Sequence, residues 1–363
     1  MAQYFTERLQ KVFHMIFTSY NQKAAQEGLR QLELIVNNQQ VAVSTTHRAL
    51  RNDMSTLLES EIKSKEDALK IANDPEAREL GDAYALLARV YAGPRFTWEE
   101  SNFPEDNMRT YQCLHDSIRR CSPIGTLQAL RIKGSITPTV EKDMQISFDD
   151  AFRIVHHYAE QDDAYCQYVI GNVFFWRDDN RIESAKDMIT PHPLSWAKRI
   201  HQSLQGGSIH DRIAALQGTV SDEKLQENAS DLAKRWLNKA LYNGLAMFQG
   251  NLRNIYIDEG DFENARRVAR TAANLGNPAM MLYTGLDCHE NGNYEDAFTW
   301  FTKAAALGQS ESIAELADYY YHFYDAKELR STIPYDPVKA IGLYRRAATK
   351  NFSDAGYAAL QAA

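Results

Sequence analysis

A six-residue segment in the last third of the chain occurs twice, and the two copies are 32 residues apart. The sequence Gly-Asp-Phe-Glu-Asn-Ala at 260–265 returns as Gly-Asn-Tyr-Glu-Asp-Ala at 292–297. Self-similarity with a period of roughly 20–50 residues is the signature of a repeat array, in which each unit packs only on its neighbours. The same offset of 32 residues relates two further series, which are Gly244, Gly276 and Gly308, and Ala240, Ala272 and Ala304.

Each repeat unit is expected to be a pair of helices joined by a glycine-containing turn. In the unit after Gly308, residues Leu316, Ala317 and Tyr320 place a large, a small and an aromatic side chain on the first helix. A small residue in the middle of this trio lets two helices approach closely. Related trios occur at 284–288, 252–256, 170–174 and 87–91, so degenerate units extend back to about residue 80. Arg253 breaks the small-residue rule, which predicts a looser contact there.

The second helix of the clearest unit has one packed face. Ala297, Phe301 and Ala304 follow one another at spacings of four and three residues, which places them on the same side of a helix. In the last unit the corresponding alanine is Ala340, which lies 43 residues later instead of 32. The excess falls in the polar segment 325–336, which is predicted to form a long loop.

Helical patterns dominate the whole sequence. Apolar residues recur three and four apart, strand-like alternation is absent, and only 10 prolines occur in 363 residues. Two short helices cannot bury an apolar stripe alone, whereas stacked pairs form one continuous core and leave an exposed concave wall. The predicted fold is therefore all-α, an α-α superhelix (solenoid) of stacked helix-turn-helix repeats with an N-terminal helical cap. The expected domains are the cap at 1–75, degenerate repeats at 76–231 and clear repeats at 232–363.

Charge and cysteine content argue against several functional classes. Lys plus Arg is 40 and Asp plus Glu is 48, and the resulting net charge of −8 disfavours nucleic acid as a partner. The four cysteines form no CxxC pair and are typical of reduced thiols, and the apolar stretches are too short to span a bilayer. No basic and apolar leader opens the sequence, so a cytoplasmic location is expected. No cofactor, metal, membrane or small-molecule substrate is predicted.

The candidate catalytic and metal-binding groups have structural explanations. His156 and Glu160 have the spacing of one edge of a metal site, but no third ligand is evident. Cys166 and Cys288 fall at packing positions of the repeat, which predicts buried and inert thiols. The acidic pair at 149–150 opens an apolar helical run, where capping and the helix dipole explain it. We therefore predict no enzymatic activity.

The clearest unit also carries a recognisable motif. Glu-Asp-Ala-Phe-Thr-Trp-Phe-Thr-Lys-Ala-Ala-Ala-Leu-Gly at 295–308 resembles the pattern Lys-Ala-x-x-Trp-Tyr-x-Lys-Ala-Ala-x-x-Gly of the Sel-one-like repeat family, a subclass of tetratricopeptide-type helical repeats. The resemblance covers 232–363, is weaker over 80–231 and does not extend to 1–75. It implies an adaptor or scaffold for protein complexes. Secreted relatives with two cysteines in every repeat are a poor match, because the cysteines of this chain do not recur.

The resemblance also implies where a partner binds. In the tetratricopeptide-type pattern the first helix of each unit lines the concave side, and the positions between its packing residues face the ligand. The resulting face is acidic, with aromatic side chains that suit an interface hot spot. Within the run 319–324, Tyr320 is predicted to lie in the core, whereas Tyr321 and Tyr324 are predicted contact residues. The complete set of predicted contact positions on the concave face is Asn172, Phe175, Trp176, Asn254, Asp258, His289, Glu290, Asp318, Tyr321 and His322.

The predicted function is a cytoplasmic scaffold or adaptor that engages a partner protein or peptide on the concave face. The acidic residues favour a partner with a basic patch. An alternative is an immunity protein that neutralises a cognate bacterial toxin by stoichiometric binding, since an acidic surface suits the blocking of a basic active site. A further alternative is an enzyme concealed in the segments without clear repeats, at 1–75 and 177–231.

Overall fold

A computed structural model describes the chain over nine stretches of residues. These are 3–46, 64–93, 96–98, 101–130, 142–176, 185–186, 229–247, 249–323 and 333–349, with side chains described throughout except at 38–46. Tyr324, most of the predicted loop at 325–336 and most of 177–231 lie outside the described residues. The hypothesis of an enzyme in that last segment therefore stays untested.

The described residues form helices and no strands. In the first half, a π-helical turn at His14–Thr18 follows α1 directly. The helices of this half are α1 (Glu7–Phe13), α2 (Gln22–Thr46), α3 (Lys65–Asn73), α4 (Pro75–Tyr91), α5 (Asn107–Arg119), α6 (Pro123–Ala129), α7 (Phe148–Ala159) and α8 (Ala164–Phe175). The helices of the second half are α9 (Ala229–Tyr242), α10 (Gly250–Asp258), α11 (Phe262–Asn274), α12 (Pro278–Glu290), α13 (Tyr294–Ala306), α14 (Ser310–Tyr321) and α15 (Pro337–Ala348).

Side-chain caps fix where several of these helices begin. The Ser147 hydroxyl accepts a hydrogen bond from the backbone N–H of Asp150 at 3.1 Å and opens α7. The Asp163 carboxylate accepts one from the backbone N–H of Cys166 at 2.9 Å and opens α8. Each cap satisfies a backbone donor that the first helical turn leaves without a partner. The acidic residues at these positions are thus explained by helix capping, as the sequence predicts.

The helices from α7 to α15 stack in chain order, and each contacts the helix before it and the helix after it. Two glycines show how closely they approach. A Cβ atom added to Gly171 in α8 would lie 2.7 Å from Leu237 of α9, and one added to Gly285 in α12 would lie 2.5 Å from Phe301 of α13. The small position of the repeat trio therefore allows the first helix of a pair to touch its second helix. The fold is an all-α helical-repeat solenoid, as the sequence predicts.

The leading helices are part of the same hydrophobic core as the repeats. One cluster of buried side chains extends from Tyr4 to Met281, and a second one surrounds Phe301 in the last two pairs. Every residue from Gly81 to Tyr91 in α4 is buried, and so is every residue from Tyr165 to Asn172 in α8. The described residues 3–36 therefore share a buried core with these helices. The boundaries at 75 and 231 stay predictions.

The tyrosine run at the end of α14 is packed differently from the prediction. Tyr319 is fully buried, whereas Tyr320 and Tyr321 are half-buried. The Tyr319 ring packs against Phe301 of α13 at a centroid distance of 5.6 Å. Tyr320 instead receives the ammonium group of Lys339 over its ring at 4.1 Å. Tyr320 packs against the edge of this core, with its ring 5.5 Å from that of Phe298, so its predicted core position is borne out in part, and Tyr319 is the fully buried residue of the run.

Candidate protein-interaction face

One side of the first helices α10, α12 and α14 remains accessible in the folded chain. Residues on this side repeat at the offset of 32 and are at least partly exposed. None of these residues is Lys or Arg and five are acidic, so the surface is negative overall, with the guanidinium of the neighbouring Arg253 lying over Tyr283. We call this surface the first-helix face, and it consists of Asn251, Asn254, Asp258, Tyr283, Leu286, Glu290, Glu311, Glu315, Asp318 and His322.

Five of the residues predicted from the sequence lie on this face, and five do not. Those on it are Asn254, Asp258, Glu290, Asp318 and His322. The sequence reasoning missed Asn251, Tyr283, Leu286, Glu311 and Glu315, although counting back three, four or seven residues from Asn254, Glu290 and Asp318 reaches each of them. The helical periodicity of the sequence is therefore sufficient to identify these residues.

Tyr283 is held in place in the middle of the face by the preceding unit. The Arg253 guanidinium of α10 lies over the Tyr283 ring at 3.9 Å from the centroid, and the ring keeps 36% of its surface exposed. A cation stacked on an aromatic face is attracted by the ring quadrupole and restricts the ring's motion. Arg253, which breaks the small-residue rule, thus bridges two successive first helices.

A cleft opens beside Asp258 between the end of α8, the start of α9 and the end of α10. It has a volume of about 750 Å³ and is lined by the apolar side chains of Phe175, Ala229, Ala233 and Ile255, together with Ser230 and the charged residues Lys186, Asp258 and Glu259. The Lys234 ammonium donates to Glu259 at 2.8 Å. An apolar lining with charged residues of both signs suits a long side chain whose stem is apolar and whose tip is charged, and Asp258 offers a carboxylate to a positive tip.

The C-terminal end of the face is shaped by contacts with α15 and the residues before it. The Tyr344 hydroxyl of α15 donates to the Asp318 carboxylate. His322 ends α14 in the left-handed conformation, with φ of 53°, and its Nε2 lies 2.7 Å from the Ile333 carbonyl oxygen. Tyr321 is half-buried and contacts the Tyr335 ring. Asp318 and His322 are therefore oriented by internal hydrogen bonds while remaining partly exposed.

His289 points away from the first-helix face. Its Nδ1 lies 2.7 Å from the Tyr319 hydroxyl, and its ring packs edge-on against Tyr294. Burial lowers the pKa of His289 below its ordinary value, so the neutral ring is favoured in the folded state. The residue joins the first helices α12 and α14, and its imidazole serves packing.

The predicted positions of α8 fall in three different environments. Asn172 is 2% exposed, donates to the Tyr168 carbonyl and accepts from the Asn251 side chain at 2.9 Å. Phe175 lines the cleft, and Trp176 is 44% exposed at the end of the helix. Asn172 is therefore an internal hydrogen-bonding residue, because it links two successive first helices, and its prediction as a contact residue was wrong.

The leading segment, residues 3–20, covers the equivalent side of the earlier first helices. On α8 the rings of Phe5 and Phe13 pack against Tyr165 at 5.4 Å and 4.7 Å. Farther along the segment, Tyr20 reaches the turn before α12, where a Cβ atom at Gly276 would lie 3.3 Å from its ring. The leading segment thus covers this side over α4 and the start of α8, whereas the described residues of the first-helix face on α10, α12 and α14 are at least partly exposed.

A buried network of charges fixes the start of the leading segment on α4. The Tyr4 hydroxyl donates to Asp82 at 3.2 Å, and the Arg78 guanidinium donates to Asp82 at 3.1 Å and to the Tyr4 carbonyl at 2.6 Å. Ser122 donates to the same carboxylate at 2.6 Å. Burial raises the pKa of Asp82 to about 6, although its three donors stabilise the charged form. Such a network is satisfied only when the leading segment is docked.

The cysteine and histidine side chains that the sequence analysis considered for catalysis or metal binding are buried or partly buried in the structure. Cys166 and Cys288 are buried, and burial raises the pKa of both thiols, which confirms the predicted packing role. His156 lies 3.5 Å from Glu160 and packs edge-on against Trp236. In the described stretches no group of three potential metal ligands occurs. Within these same residues, none of the helices combines the length and apolarity that a bilayer crossing demands.

Two solved structures are similar to this chain. The Sel1 repeat protein from Oxalobacter formigenes is 16% identical, and the alignment covers 98% of this chain and 85% of that one, with a TM-score of 0.33. The protein c5321, described as a protective antigen of uropathogenic Escherichia coli strains displaying an SLR fold, is 14% identical, with coverages of 85% and 66% and a TM-score of 0.34. No protein-family model and no curated protein matches the sequence.

At these TM-scores the likeness is distant, and the helical-repeat fold rests on the helix contacts and glycine positions of this chain. Both solved structures are described by the Sel1 repeat or SLR fold, the repeat class that the segment 295–308 resembles.

Proposed function

We propose that this protein is a binding scaffold that engages a partner protein on the open part of the first-helix face. The observation that carries the proposal is the pairing of two features on one accessible surface. Acidic side chains recur on successive first helices, and Tyr283 is held between them by Arg253. An interface hot spot commonly consists of aromatic anchor residues surrounded by a polar rim.

The chemistry of the face indicates a partner with basic residues. Asp258 and Glu290 are exposed, and Lys and Arg are absent from the face as defined above. Complementary charge raises the association rate and selects against acidic competitors. The cleft beside Asp258 combines apolar lining residues, which an arginine or lysine stem covers, with the Asp258 carboxylate, which its charged tip reaches.

The rigidity of the surface suits a binding function. The first helices are fixed by the second helices behind them, and the leading segment fixes the earlier half of the array. A preordered surface loses little conformational entropy when a partner docks. We therefore assign equilibrium recognition of a protein or peptide as the function.

The test is co-purification of partners from the native host with wild-type protein and with Asp258→Lys/Glu290→Lys. The matched control is Glu263→Lys/Glu295→Lys, which makes the same change of charge on exposed residues of the second helices. A partner of the first-helix face is retained by the control and lost by the first variant, and its binding weakens as salt is raised. Equal retention by all three proteins would contradict the proposal.

A further inference from the structure

The second helices present a surface of opposite charge on their solvent side. We define this second-helix strip by the positions two, five and six residues after the buried packing alanines Ala151, Ala233, Ala265, Ala297 and Ala340. None of its residues is buried and none is acidic, and eight are Arg or Lys. The basic residues of the strip are Arg153, Arg235, Lys239, Arg267, Arg270, Lys303, Arg345 and Arg346.

Side-chain contacts join second helices along the strip, namely α7 with α9, α9 with α11 and α13 with α15. The His156 ring of α7 packs against Trp236 of α9 at 5.2 Å. The Arg267 guanidinium of α11 donates to the Tyr242 hydroxyl at the end of α9. At the other end, Arg346 of α15 donates to the Ala305 carbonyl of α13 at 2.9 Å. A chain with a net charge of −8 thus carries a local positive surface across these helices.

Several of the cations are held in place by aromatic rings of their own helix. The Lys239 ammonium lies 4.5 Å from the Trp236 ring, and the Lys303 ammonium lies 4.5 Å from the Trp300 ring. A side chain that is already ordered loses less rotamer entropy when an anion binds. These contacts direct the charged tips along the strip and leave them in solvent.

From these observations we propose that the second-helix strip is a second docking surface, and that it binds an extended acidic segment of a partner polypeptide. A row of acids, Asp149, Asp231, Glu263 and Glu295, lies four residues before the first column of the strip. Four helical residues correspond to about 6 Å. A single extended peptide lying across the helices needs a basic band only this wide, and the positive charge of the strip favours an acidic one.

This inference is independent of the proposed function, because it concerns the other layer of helices. Together the two surfaces would allow the protein to hold a basic partner on the first helices and an acidic one on the second helices. A scaffold that bridges two proteins requires two such separate sites.

The experiment measures binding of a fluorescein-labelled oligoglutamate peptide by fluorescence anisotropy at low and high salt. We expect salt-sensitive binding that Arg267→Glu/Arg270→Glu weakens by about tenfold or more. Lys303→Glu/Arg345→Glu gives the same result if the first variant fails to fold. The matched control Lys11→Glu/Lys70→Glu reverses two exposed lysines on α1 and α3, and it leaves binding unchanged.

Absence of peptide binding by the wild-type protein would overturn the inference, and so would an equal loss in the control. A short duplex DNA is measured in parallel. If the duplex bound more tightly than the peptide, and the same strip variants lost that binding, the ligand of the strip would be nucleic acid and not a peptide. Asp258→Lys/Glu290→Lys does not weaken peptide binding if the two surfaces are separate, so failure of this site and failure of the first-helix site are distinguishable.

Discussion

The close contact between paired helices makes Gly285→Ala a sharp test of the repeat packing. The added methyl would lie 2.5 Å, 2.8 Å and 3.1 Å from three carbons of the Phe301 ring. Phe301 is fully buried, so its ring has no solvent to move into. Overpacking of this kind costs about 1–3 kcal/mol. Alanine gains about 1 kcal/mol over glycine inside a helix. The net effect is a loss of stability of about 1 kcal/mol, and up to about 2.

Gly342→Ala is the matched control for this substitution. Gly342 also lies inside a helix, but a Cβ atom added there meets nothing within 4 Å. This variant should therefore stabilise the protein by about 0.5–1 kcal/mol, through helix propensity alone. The two substitutions are chemically identical and are predicted to have opposite signs.

The assay is urea denaturation followed by far-ultraviolet circular dichroism, with the midpoints of both variants compared with that of the wild type. Combining Gly285→Ala with Phe301→Leu should recover part of the loss, because the smaller side chain makes room for the methyl. If Gly285→Ala raised the midpoint as much as Gly342→Ala does, the close approach of α12 and α13 would be refuted.

Three further outcomes follow from the buried groups. Asp82→Asn leaves the buried Arg78 without its counter-charge and should lower stability by about 3–5 kcal/mol, seen as a fall in Tm. Burial lowers the pKa of His289 below 6.5, so its contribution to stability is complete above pH 6.5 and is lost as pH falls; a pH series of urea midpoints, compared with His289→Gln, checks the sign. Burial raises the pKa of Cys113 and Cys121 to about 12, so a thiol reagent should label native protein slowly and urea-unfolded protein fully.

The sequence contains enough information to predict the repeat architecture, because its physical causes are local. The glycine turn before α12, the trio around Gly285 and the packed alanine Ala297 each depend on neighbours a few residues away or one unit away. The capped start of α7 at Ser147 is equally local. Periodic signals of this kind survive without any knowledge of long-range contacts.

The position of the leading segment was not predictable in the same way. Its contacts join residues far apart in sequence, such as Tyr4 with Asp82 and Phe13 with Tyr165. No repeat or motif relates these pairs, so a helical cap was the natural interpretation of 1–75. The covered half of the first-helix face follows from those long-range contacts alone.

The face itself was predicted only in part, because an alignment of motifs gives the helix but not the direction of each side chain. Asn254, Asp258 and Glu290 lie where the pattern places them. His289 follows Cys288 on the packed side and turns toward Tyr319, a difference of one residue or about 100° around the helix.

The central claim is that the leading segment covers the first-helix face on α8 while the same face stays open on α12. Val169 and Tyr283 occupy equivalent positions, one residue before the trio of each helix, and they are 6% and 36% exposed. The direct measurement is the rate of maleimide labelling of Val169→Cys and Tyr283→Cys, with the wild type as background because its four cysteines are buried. The account predicts rapid labelling at position 283 and labelling at position 169 that is many times slower. Equal rates at the two positions would contradict it.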